Sequence, residues 1–334
     1  MKGVILLLVL NGFALVVTQS IWDVGKFMGS VPEIDEEDLT PLEFFENRHR
    51  APFIVRSFQE TLDSMARAYK WENESFAWMQ TVMGEQARID VLEGELHETR
   101  LAPAIHHMKW KYFFEKFRHL DIYAVTQSPK LLRPYLKLFP FFKSSSNSYR
   151  MLPPHLWVSG GLKPSKSAVH ADSHHNQHCL LKGTKKFMLI SPDVPVNSPE
   201  YGWVFVEKPD GTRETGFENA YGEYAGNLNV SKIDLNAFPG WRDVPWYLAE
   251  LNAGDCLYMP IDWYHYVESS AQPTVSWHIW FHLLNVWVDD PQTEAFGLRS
   301  LTPDKCFFKE DKQARRGQDQ DWGSFPYRTS LCNW

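Results

Sequence analysis

The sequence predicts a mainly β protein with some α structure, a sandwich or barrel of short strands for which a jelly roll is one solution. Three observations lead there. From Leu156 to Leu283 short apolar, β-like runs alternate with turn signals. The first third differs, mixing helical and strand-like spacing. And a chain of 334 residues, 44% hydrophobic and 15% aromatic, can bury a substantial core.

Taken in order, the chain opens on a targeting pattern. Lys2 gives a positive start, Val4 to Val17 is almost continuously apolar, and Thr18-Gln19-Ser20 offers small residues for a cut after Ser20. The apolar run is shorter than the roughly 20 residues of a membrane span. A cleaved signal peptide over 1–20 is therefore expected, and no later segment has the continuity of a membrane helix. Thr40-Pro41-Leu42-Glu43 reads as a helix start, and Pro52-Phe53-Ile54-Val55-Arg56 as a short strand behind a proline. Helical spacing is expected over Gln59 to Trp71, Lys109 to His119 and Pro129 to Leu138, with a strand at Leu120 to Thr126. Then come Leu156 to Ser159, Phe187 to Ile190, Cys256 to Met259 and Thr274 to Leu283 as strands, punctuated by Gly160-Gly161, Ser191-Pro192, Ala253-Gly254-Asp255 and Gln272-Pro273. Residues 195–250, rich in Gly, Asn, Asp and aromatics, are too long for one hairpin connection and read as an insertion at a site mouth. Residues 289–334 read as a polar C-terminal extension.

A formal net charge of -7 argues against a whole-chain footprint for nucleic acid. The four cysteines show no CxxC spacing, which excludes a zinc ribbon. Cys179 and Cys256 lie in apolar runs and are expected as small buried hydrophobes. Cys306 and Cys332 could tie down the tail in an oxidising compartment. Asn73-Glu74-Ser75 and Asn229-Val230-Ser231 are glycan acceptors if the chain enters the secretory pathway.

His170-Ala171-Asp172 carries the chemistry. A spacing of two on an extended strand puts both side chains on one face, so an imidazole and a carboxylate can reach one ion. His265, after a turn, a strand and a second turn at Gly254 to Tyr264, is the best third ligand, with His174, His175 and His178 as competitors. Two His and one carboxylate leave coordination positions open and suit non-haem Fe(II). His106, His107, His119 and His155 are read as surface or hydrogen-bonded core residues.

After His170-Ala171-Asp172 come Asn176 and then Lys182-Gly183-Thr184-Lys185-Lys186-Phe187-Met188-Leu189-Ile190-Ser191-Pro192; Gly254-Asp255-Cys256-Leu257-Tyr258-Met259-Pro260 and Trp263-Tyr264-His265 follow later. Together these segments resemble the JmjC proteins, especially the small hydroxylase branch described as cupin-like, over roughly residues 40 to 288. The resemblance implies a double-stranded β-helix core flanked by N-terminal helices. It implies Fe(II) on His170, Asp172 and His265, with 2-oxoglutarate as cosubstrate and O₂ as oxidant. It implies that Lys185 meets the distal carboxylate of 2-oxoglutarate, since burying a dianion without a cation is expensive. Lys185 is preferred over Lys182 and Lys186 because it alternates with Phe187 and Leu189. Ser167 and Asn176 fall where the family places polar contacts to the cosubstrate. His278 stands where related hydroxylases often carry Asn, and His178 where an aromatic is common.

The expected organisation is thus a signal peptide (1–20), a mixed α/β region packing on the core (21–118), and a JmjC/cupin-like catalytic domain (119–288) with its insertion at 195–250. The extension at 289–334 follows. The expected activity is hydroxylation of a protein substrate in the endoplasmic reticulum lumen or outside the cell, with no nucleic-acid partner and no membrane span after signal removal. A retained but inactive fold and a nuclear lysine demethylase are the alternatives.

Overall fold

The computed structural model describes residues 18–58, 87–93, 104–128, 136–143, 149–196, 198–202, 205–207, 213–215, 218–219, 222–224 and 228–283. The expected helices at 59–71 and, for the most part, 129–138 lie outside them, as do Asn73, Cys306 and Cys332. No helix among the described residues is long and apolar enough to cross a membrane.

The chain begins with β1 (Thr18–Gln19), a turn over Ile21–Asp23 capped by the Ser20 hydroxyl, and β2 (Lys26–Ser30). Thr40 accepts the Glu43 amide and Pro41 sits in the first turn, so α1 (Pro41–Glu43) starts where the sequence places it. The strand behind Pro52 is β3 (Phe53–Val55). β4 (Arg88–Glu93), β5 (Ala104–Lys109), α2 (Trp110–Lys116) and β6 (Ile122–Gln127) follow. Next are β7 (Tyr149–Met151), β8 (His155–Ser159), β9 (Ser165–Lys166), β10 (His170–Ala171), β11 (His175–Lys182) and β12 (Thr184–Ile190). Short strands β13 (Phe205–Glu207), β14 (Arg213–Thr215), β15 (Glu218–Asn219), β16 (Gly222–Tyr224) and β17 (Ile233–Asp234) fill the insertion. The chain then returns through β18 (Pro245–Asn252), β19 (Cys256–Met259), β20 (Tyr264–Ser269) and β21 (Thr274–Leu283).

Two sheets make the jelly roll. One runs β15-β16-β10-β20-β12-β18-β2, with β9 also on β20. The other runs β3-β19-β11-β21-β8-β6-β4-β5, with β7 also on β21. Strands β2 to β5 show that the N-terminal region enters both sheets. β18, expected inside the insertion, is a core strand between β12 and β2, so the insertion ends before Pro245.

Side chains alternate across these sheets and sort into three layers. Trp110 and Phe113 of α2, with Phe117 just after it, join Phe44, Phe141, Trp277 and Phe281 against the outer face of the second sheet. The insertion and the N-terminal segment, through Ile21, Val24 and Trp241, cover the outer face of the first against Trp246 of β18. Between the sheets, Ile54, Leu180, Phe187, Leu189, Leu251, Leu257 and Met259 pack together. The polar residues His178, Lys185, His265 and His278 are also buried here, in register positions continuous with that apolar layer.

The cysteine expectation needs correcting. Cys179 and Cys256 are direct cross-strand partners on β11 and β19, with Cα atoms 4.1 Å apart, and form a disulfide. They are fully buried, as expected, but they are not free thiols. The bond closes a separation of 77 residues and joins the strand after Asp172 to the strand before His265. In denaturant without reductant, neither cysteine should take a maleimide; labelling there would show that the bridge is absent. Removing it should cost roughly 2–5 kcal/mol.

Asp255, the acid of the Gly254-Asp255 turn, organises the neighbouring β3 end. Its carboxylate accepts the Ser57 and Asn252 amides, at 3.0 and 2.9 Å, and pairs with Arg56 at 2.7 Å. Asp255→Ala strands two backbone donors, so a loss of about 2–4 kcal/mol is expected in urea unfolding. A shift below about 0.5 kcal/mol, the size of an ordinary surface change, would remove this role.

Candidate metal centre

β10 is only two residues long, yet it fixes the site. His170 pairs with His265 across β10 and β20, so the two imidazoles emerge side by side, ring centroids 4.1 Å apart. The Asp262 amide donates to the Asp172 carbonyl at 3.0 Å, which ties the loop before His265 to the loop after His170. His170, Asp172 and His265 each offer a ligand atom within 4.8 Å of the others.

Both histidines are oriented from behind. A carbonyl only accepts, so the contacts of His170 Nδ1 with Ala168 O (2.9 Å) and of His265 Nδ1 with Trp263 O (3.0 Å) put the proton of each neutral ring on Nδ1. In each neutral ring Nε2 then carries the lone pair, which is how metal-binding histidines are prepared. Burial, and after it the charge of His170, holds His265 well below the usual histidine range, so it stays neutral. The Asp172 carboxylate accepts the Trp280 indole N–H at 3.0 Å and is 6% exposed. Its pKa is raised by burial, against the lowering effect of His170. A buried carboxylate beside two imidazole rings whose Nε2 atoms face it is a donor set that a divalent cation completes. These residues fit Fe(II).

Two of the competitors, His174 and His175, point elsewhere. His175 Nδ1 meets the Tyr258 hydroxyl at 2.7 Å on the other face of β11, and that hydroxyl donates to His49 O. His174 lies against the His282 ring at 4.3 Å and contacts Ser173. His178 faces the inter-sheet space, but it is not among the residues whose ligand atoms converge, and its Nε2 has no partner among the described residues.

Four residues along β20 from His265, Ser269 faces Lys185, a separation of roughly 13 Å along the strand. Lys185 is 3% exposed and donates to the Tyr123 hydroxyl at 3.3 Å. Burial lowers its pKa to about 7. Lys186, on the opposite face, is paired with Glu250 at 2.7 Å in solvent. His178 and His278 are direct partners on β11 and β21, both close enough to Lys185 and His265 to feel their charge. Asn176 donates to Asp172 at 3.5 Å, and its buried Oδ1, like His178 Nε2, His278 Nε2 and Ser276 Oγ, has no partner among the described residues. Between metal centre and lysine, then, the barrel interior carries a buried cation and several unpaired polar atoms, the lining of an anion site. Ser167 stands at its edge: its hydroxyl accepts the Val267 amide at 2.8 Å and keeps its own proton to donate.

Sequence reasoning missed Tyr123, Trp157 and Trp280. Trp280 could have been found, since it lies two residues beyond His278 on the same strand face.

The family of the cupin-like domain matches residues 46–285, which contain the whole arrangement. The chain belongs to this cupin-like family of JmjC proteins. Among its relatives, this JmjC protein is similar to Jumonji C domain-containing protein 5 of Drosophila melanogaster, 29% identical over 115 residues, 34% of this chain and 24% of that one. It is similar to human HSPB1-associated protein 1, 39% identical over 130 residues, 38% of this chain and 23% of that one. It is also similar to Lysine-specific demethylase JMJ31 of Arabidopsis thaliana, 27% identical over 142 residues, 41% and 23% respectively. The chain spans about a quarter of the length of these relatives.

Proposed function

We propose that this JmjC protein is an Fe(II)- and 2-oxoglutarate-dependent oxygenase that hydroxylates a protein side chain in the secretory pathway. The observation that carries the reading is the pairing of a His170–Asp172–His265 centre with the buried Lys185, which has no carboxylate partner among the described residues, at the other end of one barrel interior. His170, Asp172 and His265 would hold the metal. Lys185 and Tyr123 would take the far carboxylate of the cosubstrate. Bound Fe(II) and 2-oxoglutarate supply the O₂-activating chemistry, while the protein orients them and excludes side reactions. Burial raises the Tyr123 phenol well above its usual value, so it remains a neutral donor.

The test is succinate release from 2-oxoglutarate, with and without lumenal protein extract, by the wild-type chain and Asp172→Ala. Succinate that depends on Asp172 and rises with extract supports the reading, and a gain of one oxygen atom on a protein product identifies hydroxylation. Formaldehyde release would instead favour demethylation, the activity in the name of the Arabidopsis relative. Wild-type turnover no greater than that of Asp172→Ala would favour an inactive binding fold.

The expected signal peptide and the Cys179–Cys256 disulfide both support an oxidising compartment. Asn229, whose Oδ1 accepts the Ser231 amide, stands part-exposed as a candidate glycan acceptor. A C-terminally tagged chain should localise to the secretory pathway and begin near Ile21. A cytosolic or nuclear chain that retains Met1 would overturn this part.

A further inference from the structure

His278 is a histidine with one nitrogen occupied and the other idle. Its Nδ1 lies 3.0 Å from the Trp157 indole nitrogen. Indole N–H is a donor and has no acceptor at that nitrogen, so His278 Nδ1 must be the unprotonated nitrogen. The ring proton is then on Nε2. That Nε2–H is buried and has no partner among the described residues. A second indole, Trp280, lies over the same imidazole at 4.3 Å between ring centroids and donates its own N–H to Asp172. The imidazole is therefore fixed in tautomer by one tryptophan and in plane by the other.

We infer that Trp157 is a positioning residue for the cosubstrate: it locks His278 as the Nε2–H tautomer, and that N–H donates to the anion held between the metal centre and Lys185. This rests on the reading of the site proposed above. The titratable groups around the ring are His155 from β8, His178 from β11, Lys185 from β12 and His265 from β20. The Lys185 ammonium offers only donors, one of them to Tyr123, and His178 Nε2 has no partner among the described residues. A desolvated N–H without an acceptor is costly, so its acceptor comes from what binds there. The opposite tautomer would set two N–H groups against each other at Trp157 and present a lone pair to an anion.

The test uses the full chain labelled with ¹⁵N in histidine. Imidazole nitrogen shifts, with His278 identified by its loss in His278→Asn, should show the Nε2–H tautomer in the wild type. They should show a mixture in Trp157→Phe, which keeps an aromatic ring but no donor. Calorimetric titration of 2-oxoglutarate into Mn(II)-loaded protein should show about tenfold weaker binding in Trp157→Phe, the size of one lost hydrogen bond. Mn(II) affinity should be unchanged. Because Trp157 acts through His278, the double variant should bind no worse than His278→Asn alone. An Nδ1–H tautomer in the wild type, additive losses, or an equal loss of Mn(II) affinity would each overturn the inference. The wild-type tautomer measurement decides even if Trp157→Phe fails to fold. No binding of 2-oxoglutarate by the wild type would sink the cosubstrate reading and the donor role with it; intact binding with the wrong tautomer would sink this inference alone.

Discussion

Replacing His170 or Asp172 by alanine is expected to abolish stoichiometric Fe(II) binding while leaving the β-rich fold largely intact. Among the described residues the site offers three candidate protein ligands, so losing one leaves too few donors to hold the ion against water. The fold is less exposed to the change, because β10 contributes two residues and the main apolar layers are built by other strands. Metal should therefore stabilise the wild type against unfolding, by about 2.7 kcal/mol at a hundredfold excess over its Kd, and should leave Asp172→Ala unmoved. Chelation should remove the increment. His174→Ala should keep its metal, since that ring contacts His282 and Ser173. His175→Ala should lose stability through the Tyr258 contact and still bind metal. Metal content after desalting, with circular dichroism on each variant, checks all four. Retention of metal in His170→Ala, with its loss in His174→Ala and His175→Ala, would reverse the ligand assignment.

How much of this was legible in the sequence depends on how local the signal is. The spacing of His170 and Asp172 puts them together on any short extended segment, and the Gly254-Asp255 turn announces the strand that leads to His265. The choice of Lys185 over Lys186 was also local, because Phe187 and Leu189 mark the inward face and Lys186 duly meets Glu250 outside. β18 was hidden by its own backbone: the register shifts between Trp246 and Leu248, and the alternation of buried residues slips with it. The Cys179–Cys256 bridge depends on the pairing of β11 with β19, which no local pattern states. The same holds for Trp157, which reaches His278 across β8 and β21, and for Tyr123, whose hydroxyl meets Lys185 from β6. The candidate ligands were thus readable as motifs, while the residues that orient them come from strand register.

Lys185→Ala should weaken 2-oxoglutarate binding at least a hundredfold while Fe(II) affinity stays nearly constant. Its ammonium is the buried charge partner available to the distal carboxylate, and leaving one member of such a pair alone costs on the order of 3–5 kcal/mol. Each 1.4 kcal/mol is about tenfold in affinity, which sets the hundredfold floor. Lys186→Ala should be nearly silent, because that side chain is 57% exposed and spent on Glu250. Lys185→Arg should be partly tolerated, since the guanidinium fork is broader than an ammonium and Tyr123 already fills one side of the space. The lysine also predicts a pH dependence. Burial lowers its pKa to about 7, so below that pH the charged form is preformed and binding takes up no proton there. Above it the free protein holds neutral Lys185, and the carboxylate must draw a proton in to make the pair. Affinity should then fall by up to about tenfold per pH unit, until the pH reaches the lysine's raised pKa in the complex. Calorimetry in buffers of different ionisation enthalpy would register that proton uptake in the wild type and its absence in Lys185→Ala. Equal weakening by Lys185→Ala and Lys186→Ala would mean a diffuse basic rim in place of a specific anchor. Unchanged binding in Lys185→Ala would place the carboxylate elsewhere, with Lys182 and His278 the next residues to replace.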